Sequence, residues 1–214
     1  ILKSKMFGPL GSERYDSYAN DIHLSGQFLL AIIDNLLRLS TIQAGEREFR
    51  SEPVALNDIL PECIGKIEMG SRNGNIAVRW ELSEQLPEFL SDRQALSQII
   101  NNIFANAVKF SRAGGTISIR SWKDGDRLGF TIEDTGIGIP QDEIRLITDP
   151  FYRVGANPHI AQAEGAGLGL SVVKALVDSL AGKLSIDSEP GSGTSVTVSF
   201  PATGIDVPRR TNPD

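Results

Sequence analysis

Cysteine is nearly absent from this sequence: Cys63 is the only one among 214 residues. A single thiol excludes an intrachain disulfide and a zinc site built from cysteines, and it is typical of a protein in a reducing cytosol. We expect Cys63 to be a half-buried spacer on a helix. The sequence also lacks a run of eighteen apolar residues and a signal-peptide pattern at its N-terminus. We therefore expect a cytoplasmic chain that reaches a membrane only through regions outside this sequence.

Positive charge is in the minority, with 21 lysine and arginine residues against 27 aspartate and glutamate residues and a net charge of −6 at pH 7. This balance argues against a nucleic acid or an anionic membrane as partner, and it leaves room for a local basic pocket that binds phosphates. The hydrophobic content of 40% is ordinary for a globular protein. A chain of this length can form one α/β core with a helical appendage, and it contains no internal repeat.

The segment 101–110 combines one polar face with apolar faces. Asn102, Asn106 and Lys109 are spaced by four and three residues, so in a helix their side chains project from one side. An asparagine carbonyl suits Mg²⁺ as a ligand, and a lysine ammonium suits phosphate. Taken alone, such a stripe is more often the solvated edge of a core helix. The apolar residues that cover the rest of this helix and would pack on a sheet are Leu96, Ile99, Ile100, Ile103, Ala107 and Val108.

A second motif begins with Asp134, which follows an alternating apolar run and therefore stands where a strand leaves its sheet. A carboxylate there can accept the exocyclic amino hydrogens of adenine, an interaction that guanine cannot supply. Gly136 and Gly138 remove side chains where the backbone would approach the base closely. In isolation, the motif is better explained as a surface aspartate that ends a strand at a glycine turn.

Three glycines, Gly165, Gly167 and Gly169, lead into an amphipathic segment that predicts a helix over 167–181, with Gly182 as its C-cap. Glycines at the start of a helix expose backbone N–H groups at the positive end of the helix dipole. The segment is therefore a candidate phosphate site.

The order of these motifs carries more weight than any one of them. Together they resemble the N, G1, F and G2 boxes of the histidine-kinase branch of the GHKL (gyrase, Hsp90, histidine kinase, MutL) ATP-binding superfamily. The resemblance extends over roughly residues 52–201, and boxes in the right order rarely arise by chance. The segments that carry it are 101–110, 134–139, 150–153, 165–170 and 191–194.

This resemblance implies ATP and Mg²⁺ as cofactors. It also implies that Asn106 is the metal ligand and that Asn102, Lys109 and Arg153 have catalytic roles. Thr194 would assist recognition of the adenine edge. The nucleotide-binding residues that the resemblance implies are Asn102, Asn106, Lys109, Asp134, Gly136, Gly138, Ile139, Phe151, Arg153, Gly165, Gly167, Leu168, Gly169 and Thr194.

The segment between Gly138 and Gly165 has no convincing periodicity, and a long irregular loop in a compact domain is usually either functional or disordered. By resemblance it is the ATP lid, with Phe151 packing near the nucleotide and Arg153 available to the phosphates. A flexible insertion is the simpler alternative. Family members often carry threonine where this chain has Ala166, a difference that removes one hydroxyl but no backbone N–H group.

The identity of residue 102 bears on whether the expected reaction is phosphoryl transfer or ATP hydrolysis. In the hydrolytic branches of the superfamily a glutamate four residues before the metal-binding asparagine activates water, and an amide cannot take a proton. The resemblance therefore implies a protein histidine kinase that passes the γ-phosphate to a histidine and on to an aspartate of a response-regulator receiver domain. The alternatives are a degenerate kinase acting as a non-catalytic adaptor, a phosphatase-biased relative and a hydrolytic ATPase, with an anti-sigma serine kinase as a weaker variant.

A heptad pattern precedes this domain. From Tyr15 to Leu39 apolar residues recur in alternating steps of three and four, and Leu30 and Leu37 widen the stripe beyond a two-stranded coil. We expect a long helix with Ser12 as its N-cap, packed in a four-helix bundle that makes the complete protein a homodimer. It resembles the second helix of a dimerisation and histidine-phosphotransfer domain. The string at 6–26 also resembles the PleC/DivJ/PdhS group of cell-cycle sensor kinases.

The phospho-accepting histidine box of that domain is missing. His23 lies on the wrong helix without the acidic residue and the proline, and His159 lies in the lid. We therefore expect this chain to be a piece of a longer protein that cannot phosphorylate itself.

The expected fold is a two-layer α/β sandwich of the Bergerat type, a mixed sheet covered by helices and preceded by the long bundle helix. We expect a partial phosphotransfer region at 1–48, the ATP-binding domain at 52–201 and a disordered tail at 202–214, with a hinge near 44–53. Predicted strands cover 76–82, 116–122, 127–133, 183–188 and 194–200, and predicted helices cover 56–71, 92–110 and 167–181.

Overall fold

The structure is a computed structural model that describes residues 4, 6, 11–70, 76–154 and 166–204. Helices and strands alternate irregularly after one long N-terminal helix. In chain order the elements are α1 (Glu13–Gln43), β1 (Glu52–Val54), α2 (Leu56–Gly70), β2 (Ala77–Glu81), β3 (Phe89–Ser91), α3 (Arg93–Phe110), β4 (Thr116–Asp124), β5 (Arg127–Asp134), α4 (Gly169–Ser179), β6 (Lys183–Glu189) and β7 (Gly193–Pro201).

Five strands form a mixed sheet in the order β2-β4-β5-β7-β6, in which β2 pairs parallel with β4 and the other pairs are antiparallel. Alternate residues of the central strands, such as Leu128, Phe130 and Ile132 on β5, are buried. They share one hydrophobic core with the buried faces of α2, α3 and α4. The predicted two-layer α/β sandwich is confirmed, and hairpin turns join β4 to β5 and β6 to β7.

A second, two-stranded sheet pairs β1 with β3 antiparallel and was not predicted from the sequence. Val54 stands opposite Phe89, and both side chains are buried. Next to this sheet Asp92 caps α3, since Oδ1 accepts from Ala95 N at 2.7 Å while Oδ2 accepts from Arg50 N at 2.7 Å. The segment that we predicted as a hinge is thus bonded to the first turn of α3.

The long helix α1 has the N-cap that the sequence predicts, because the Ser12 hydroxyl accepts from Arg14 N at 3.3 Å. Near its C-terminal end Leu39 and Ile42 are buried in the core of the α/β domain. Much of its apolar stripe remains exposed, with Ile22 at 67% and Leu30 at 63% of full exposure. None of the helices in the described ranges combines the length and the apolar composition needed to cross a bilayer.

The end of α4 differs from the sequence prediction. Leu180 is the C-cap, and Ala181 rather than Gly182 adopts the left-handed conformation, with φ of 52°. Ala181 N donates to Asp178 O at 3.1 Å and Gly182 N donates to Val177 O at 2.8 Å, which is the Schellman pattern. Gly182 is needed for packing instead, because a Cβ there would lie 2.8 Å from Val177 Cγ1.

Two smaller expectations also need correction. Cys63 is buried at 3% exposure within the core of α2, so it is an apolar packing residue and not a half-buried spacer. In the predicted tail, residues 202–204 form a turn: Ala202 packs against the core and its N–H donates to Asp126 O at 2.6 Å. The remaining residues of that tail, 205–214, lie outside the described residues.

Candidate functional site

The polar face predicted for α3 is present. Asn102 and Asn106 are half-buried and Lys109 is exposed, whereas Ile103 and Phe104 on the opposite side are buried in the core. The two amides therefore lie at the border between core and solvent. This is where a side chain can be held rigidly and still contact a ligand.

The start of α4 lies against this face. A Cβ placed on Gly169 would lie 3.9 Å from Asn106 Nδ2 and 4.0 Å from Asn102 Oδ1. Leu168, the N-cap, makes no side-chain capping bond, so the N–H groups of the first turn of α4 are available to an anionic ligand. Gly169, which is far from the two asparagines in the sequence, is thus brought against both of them at the N-terminus of α4.

The side-chain nitrogen of Asn102 is a buried hydrogen-bond donor without an acceptor among the described residues. An unpaired buried amide costs about 1–3 kcal/mol, so the arrangement favours a ligand with oxygen acceptors. Within the described ranges no three His, Cys, Asp or Glu side chains cluster to hold a metal. A cation at this site would therefore be bound by an asparagine oxygen together with oxygens of the ligand, and the residues present fit that arrangement.

Asp134 ends β5 and is buried at 7% exposure. Its Oδ1 accepts from Gly136 N at 2.8 Å, and the backbone N–H of Thr194 is near enough to favour the ionised carboxylate. Burial raises the pKa of this carboxyl above its ordinary value, the two N–H groups oppose that rise, and neighbouring Glu133 adds to it. The result is a buried, oriented acceptor at the end of the sheet.

The glycines after Asp134 are also required by close packing within the protein. A Cβ on Gly136 would lie 2.3 Å from Phe110 O, and a Cβ on Gly138, whose φ is 69°, would lie 2.0 Å from Glu189 O. They allow this loop to pack against the end of α3 and against the β6–β7 turn. Two backbone bonds hold it there, from Ile137 N to Phe110 O at 3.2 Å and from Gly191 N to Ile137 O at 2.8 Å.

Two further residues of this site were not predicted from the sequence. Ser188 is a buried serine on β6 opposite Thr194, and its hydroxyl is bonded to Thr194 Oγ1 at 2.9 Å. Pairing the predicted strands across their turn would have found it. Phe110 is 41% exposed at the end of α3, and Lys109 Nζ lies 4.8 Å from the centre of its ring. The cation–π contact orients Lys109, and no motif spacing indicates it.

The described part of the predicted lid contacts the glycines before α4. Phe151 N donates to Gly167 O at 3.1 Å, and a Cβ on Gly167 would lie 2.7 Å from Tyr152 O. Phe151 has a left-handed φ of 67° and its ring is 55% exposed, so it is held in a conformation that is costly for a bulky residue. Arg153 is half-buried.

Three further predicted residues need comment. Leu168 has a buried side chain, so only its backbone can contact a ligand. Ile139 N already donates to Ser188 Oγ at 2.8 Å. Gly165 lies outside the described residues, as does His159. The roles given to the predicted site residues remain predictions.

A cleft of about 740 Å³ separates α1 from α3. It is lined by polar and charged side chains, including Arg38 of α1 and Arg47 of the linker, and it reaches Asn102. A second reacting group has space to approach the asparagine face from this side.

Comparison with known proteins agrees with the geometry. Residues 91–204 match the family model of histidine kinase-, DNA gyrase B- and HSP90-like ATPases. The cell-division control histidine kinase PdhS of Brucella canis is 32% identical over 213 residues, which cover 96% of this chain and 21% of that protein. The non-motile and phage-resistance protein of Caulobacter vibrioides is 34% identical over 205 residues, 94% of this chain and 24% of that protein. The chain thus spans less than a quarter of these curated relatives' length.

Solved structures have the same fold. Full-length ShkA in complex with AMPPNP has a TM-score of 0.75 and 28% identity, with 93% of this chain and 41% of that chain covered. The mycobacterial sensor histidine kinase MprB has a TM-score of 0.61 and 26% identity, with 72% of this chain and 98% of that chain covered. By the family match, the fold and the arrangement of its asparagines and glycines, the chain belongs to the histidine kinase-, DNA gyrase B- and HSP90-like ATPases.

Proposed function

We propose that this chain is the ATP-binding catalytic part of a two-component sensor histidine kinase. The unpaired buried amide of Asn102 beside Asn106 and the N-terminus of α4 is the observation that carries the proposal. It defines a place for phosphate oxygens on the same domain as a buried carboxylate that can receive a base. The histidine kinases among the relatives support the same assignment.

The adenine base would be recognised at the end of β5. Asp134 is held by Gly136 N and would accept a hydrogen from the exocyclic amino group. A keto oxygen at the same position of the base would meet a carboxylate oxygen, so guanine is disfavoured. Ile139 and Phe151 would contribute to the walls of the base site.

The phosphates would lie between α3 and α4. Lys109 and Arg153 supply positive charge, and the first-turn N–H groups of α4, near Gly167 and Gly169, donate to phosphate oxygens. Asn106 would hold Mg²⁺ through its amide oxygen, with Asn102 beside it. Bound Mg²⁺ supplies charge that offsets the phosphates of ATP.

The reaction would be phosphoryl transfer to a protein side chain. Asn102 occupies the position from which a carboxylate would activate water, and its amide cannot accept a proton. The γ-phosphate would pass to a histidine outside this chain and then to an aspartate of a response-regulator receiver domain. In the complete protein the helical region that contains α1 would form the homodimer, and no nucleic acid takes part.

Calorimetric titration with ATP, ADP and GTP in the presence of Mg²⁺ tests the proposal. We expect ATP and ADP to bind, GTP to bind at least about tenfold more weakly, and Asp134→Asn to lose the preference for adenine. Glu133→Gln, an exposed neighbour on the same strand, is the matched control and should bind like the unmodified chain. If no nucleotide binds, the proposal is wrong.

A further inference from the structure

One backbone amide, one backbone carbonyl and one hydroxyl group surround the hydroxyl of Ser188. Ile139 N donates to Ser188 Oγ at 2.8 Å, Gly193 O lies 2.8 Å away as an acceptor, and Thr194 Oγ1 lies at 2.9 Å. The serine is buried at 8% exposure, so water does not compete for these contacts. The hydroxyl of Ser188 therefore has a complete set of partners.

The direction of each bond follows from counting hydrogens. A serine hydroxyl has one hydrogen and two lone pairs. Gly193 O can only accept, so the hydrogen of Ser188 is donated to it. Ile139 N can only donate, so it occupies one lone pair of Ser188. The remaining lone pair faces Thr194 Oγ1, and that contact is a hydrogen bond only if Thr194 donates its hydrogen.

Thr194 is thereby left without a hydrogen for a ligand. It stands opposite Ser188 on β6 and opposite Asp134 on β5, and residues directly opposite each other in a ladder project to the same face of a sheet. That face is the one on which Ile132 and Phe130 of β5 are buried. At the end of the sheet the row of Ser188, Thr194 and Asp134 thus presents lone pairs from both Thr194 and Asp134.

We propose that Ser188 is a positioning residue that fixes the Thr194 hydroxyl as an acceptor, so that the site prefers a purine with an amino group at its six-position over one with a keto oxygen. This inference rests on the proposed function and adds a specificity determinant to it. Without Ser188, Thr194 could rotate its hydroxyl and donate to a keto oxygen. Discrimination would then depend on Asp134 alone.

The test compares ATP with inosine triphosphate, which has a keto oxygen in place of the amino group. Affinities for both are measured by calorimetry in Mg²⁺ for the unmodified chain and for Ser188→Ala. We expect the unmodified chain to prefer ATP and the ratio of the two dissociation constants to narrow about threefold to tenfold in the variant, which corresponds to one hydrogen bond. Ser185→Ala, an exposed serine on the same strand, should leave the ratio unchanged.

A second variant separates positioning from folding. Thr194→Val removes the hydroxyl that Ser188 orients. If Ser188 acts only through this hydroxyl, adding Ser188→Ala to Thr194→Val should not change the ratio of the two dissociation constants any further. Equal weakening of both nucleotides by Ser188→Ala, with an unchanged ratio, would overturn the inference and leave the proposed function intact. Failure of the unmodified chain to bind ATP would overturn both.

Discussion

At the scale of single residues, Ala181 shows how a helix end can be built at a cost. It occupies the left-handed position after α4, with φ of 52°, where a side chain is unfavourable by about 1–2 kcal/mol. The neighbouring glycine cannot take over this position, because Gly182 is needed where Val177 and Phe200 leave no room for a Cβ. Hydrogen bonds and packing therefore terminate the helix, although an alanine is unfavourable at its left-handed position.

Replacing this alanine should stabilise the chain. We predict that Ala181→Gly raises the free energy of unfolding by about 0.5–1 kcal/mol, since relief of strain exceeds the added entropy of the unfolded chain. Ala175→Gly, within α4, is the control and should lower it by about 1 kcal/mol. Urea denaturation measures both, and destabilisation by Ala181→Gly would contradict the assignment of strain.

Asp134 gives a pH-dependent prediction. Because its pKa is raised by burial, the folded state binds its proton more tightly than the unfolded state does. The ionised carboxylate thus lowers stability at neutral pH, and this loss disappears as the pH falls through the raised pKa towards the ordinary value of about 3.9. Without nucleotide, Asp134→Asn should melt higher than the unmodified chain at pH 7, and the difference should shrink in acid. A difference that grows in acid would refute the raised pKa.

At the scale of elements, the spacing of apolar residues predicted the helices and strands that have a clear period. It missed the elements and contacts that depend on residues distant in the sequence. The helix α3 and strands β4, β5 and β7 have long runs with one clear period, and they were predicted close to their observed bounds. The buried face of α3 was also predicted correctly. Strands β1 and β3 have three residues each, too few to show a period, and each depends on a partner distant in sequence. The approach of Gly169 to Asn102 and the packing reasons for Gly136 and Gly138 are likewise non-local, so spacing could not reveal them.

One such contact between residues distant in sequence lies at the N-terminus of α3 and can be tested with two substitutions of Asp92. Asp92 uses one carboxylate oxygen to cap α3 and the other to hold Arg50 N. We predict that Asp92→Ala lowers the free energy of unfolding by about 2 kcal/mol. Asp92→Asn, which keeps one acceptor oxygen, should lose about half as much. Denaturation in urea measures the series, and equal losses in both variants would contradict a separate contribution from each oxygen.

At the scale of the whole molecule, α1 carries a large apolar surface that the described residues leave exposed. Ile22, Leu29, Leu30 and Leu37 are each more than half exposed. Contiguous apolar surface of this kind marks an interface. It agrees with the proposed bundle, in which other helices would bury the stripe.

We predict that the chain self-associates with rising concentration and that Leu30→Glu suppresses this. The reason is that a charge on the stripe would have to be desolvated in any interface that buries it. Asn20→Glu, which adds the same charge at an exposed polar position of α1, is the matched control. Light scattering after size exclusion reports the mass, and a monomer at every concentration would contradict the prediction.

The bond between Asp92 and Arg50 also sets the length of a tether. Outside α1 and the segment held by β3 and Asp92, the connection is the stretch from Gln43 to Arg50, which can extend only if Arg47 leaves Gln98 and Phe49 leaves the core. Even fully stretched it spans about 25 Å. If α1 leaves the catalytic domain it therefore remains within that radius, at an effective concentration on the order of millimolar. Encounters between the two parts are governed by this short reach and are independent of how much protein is in solution.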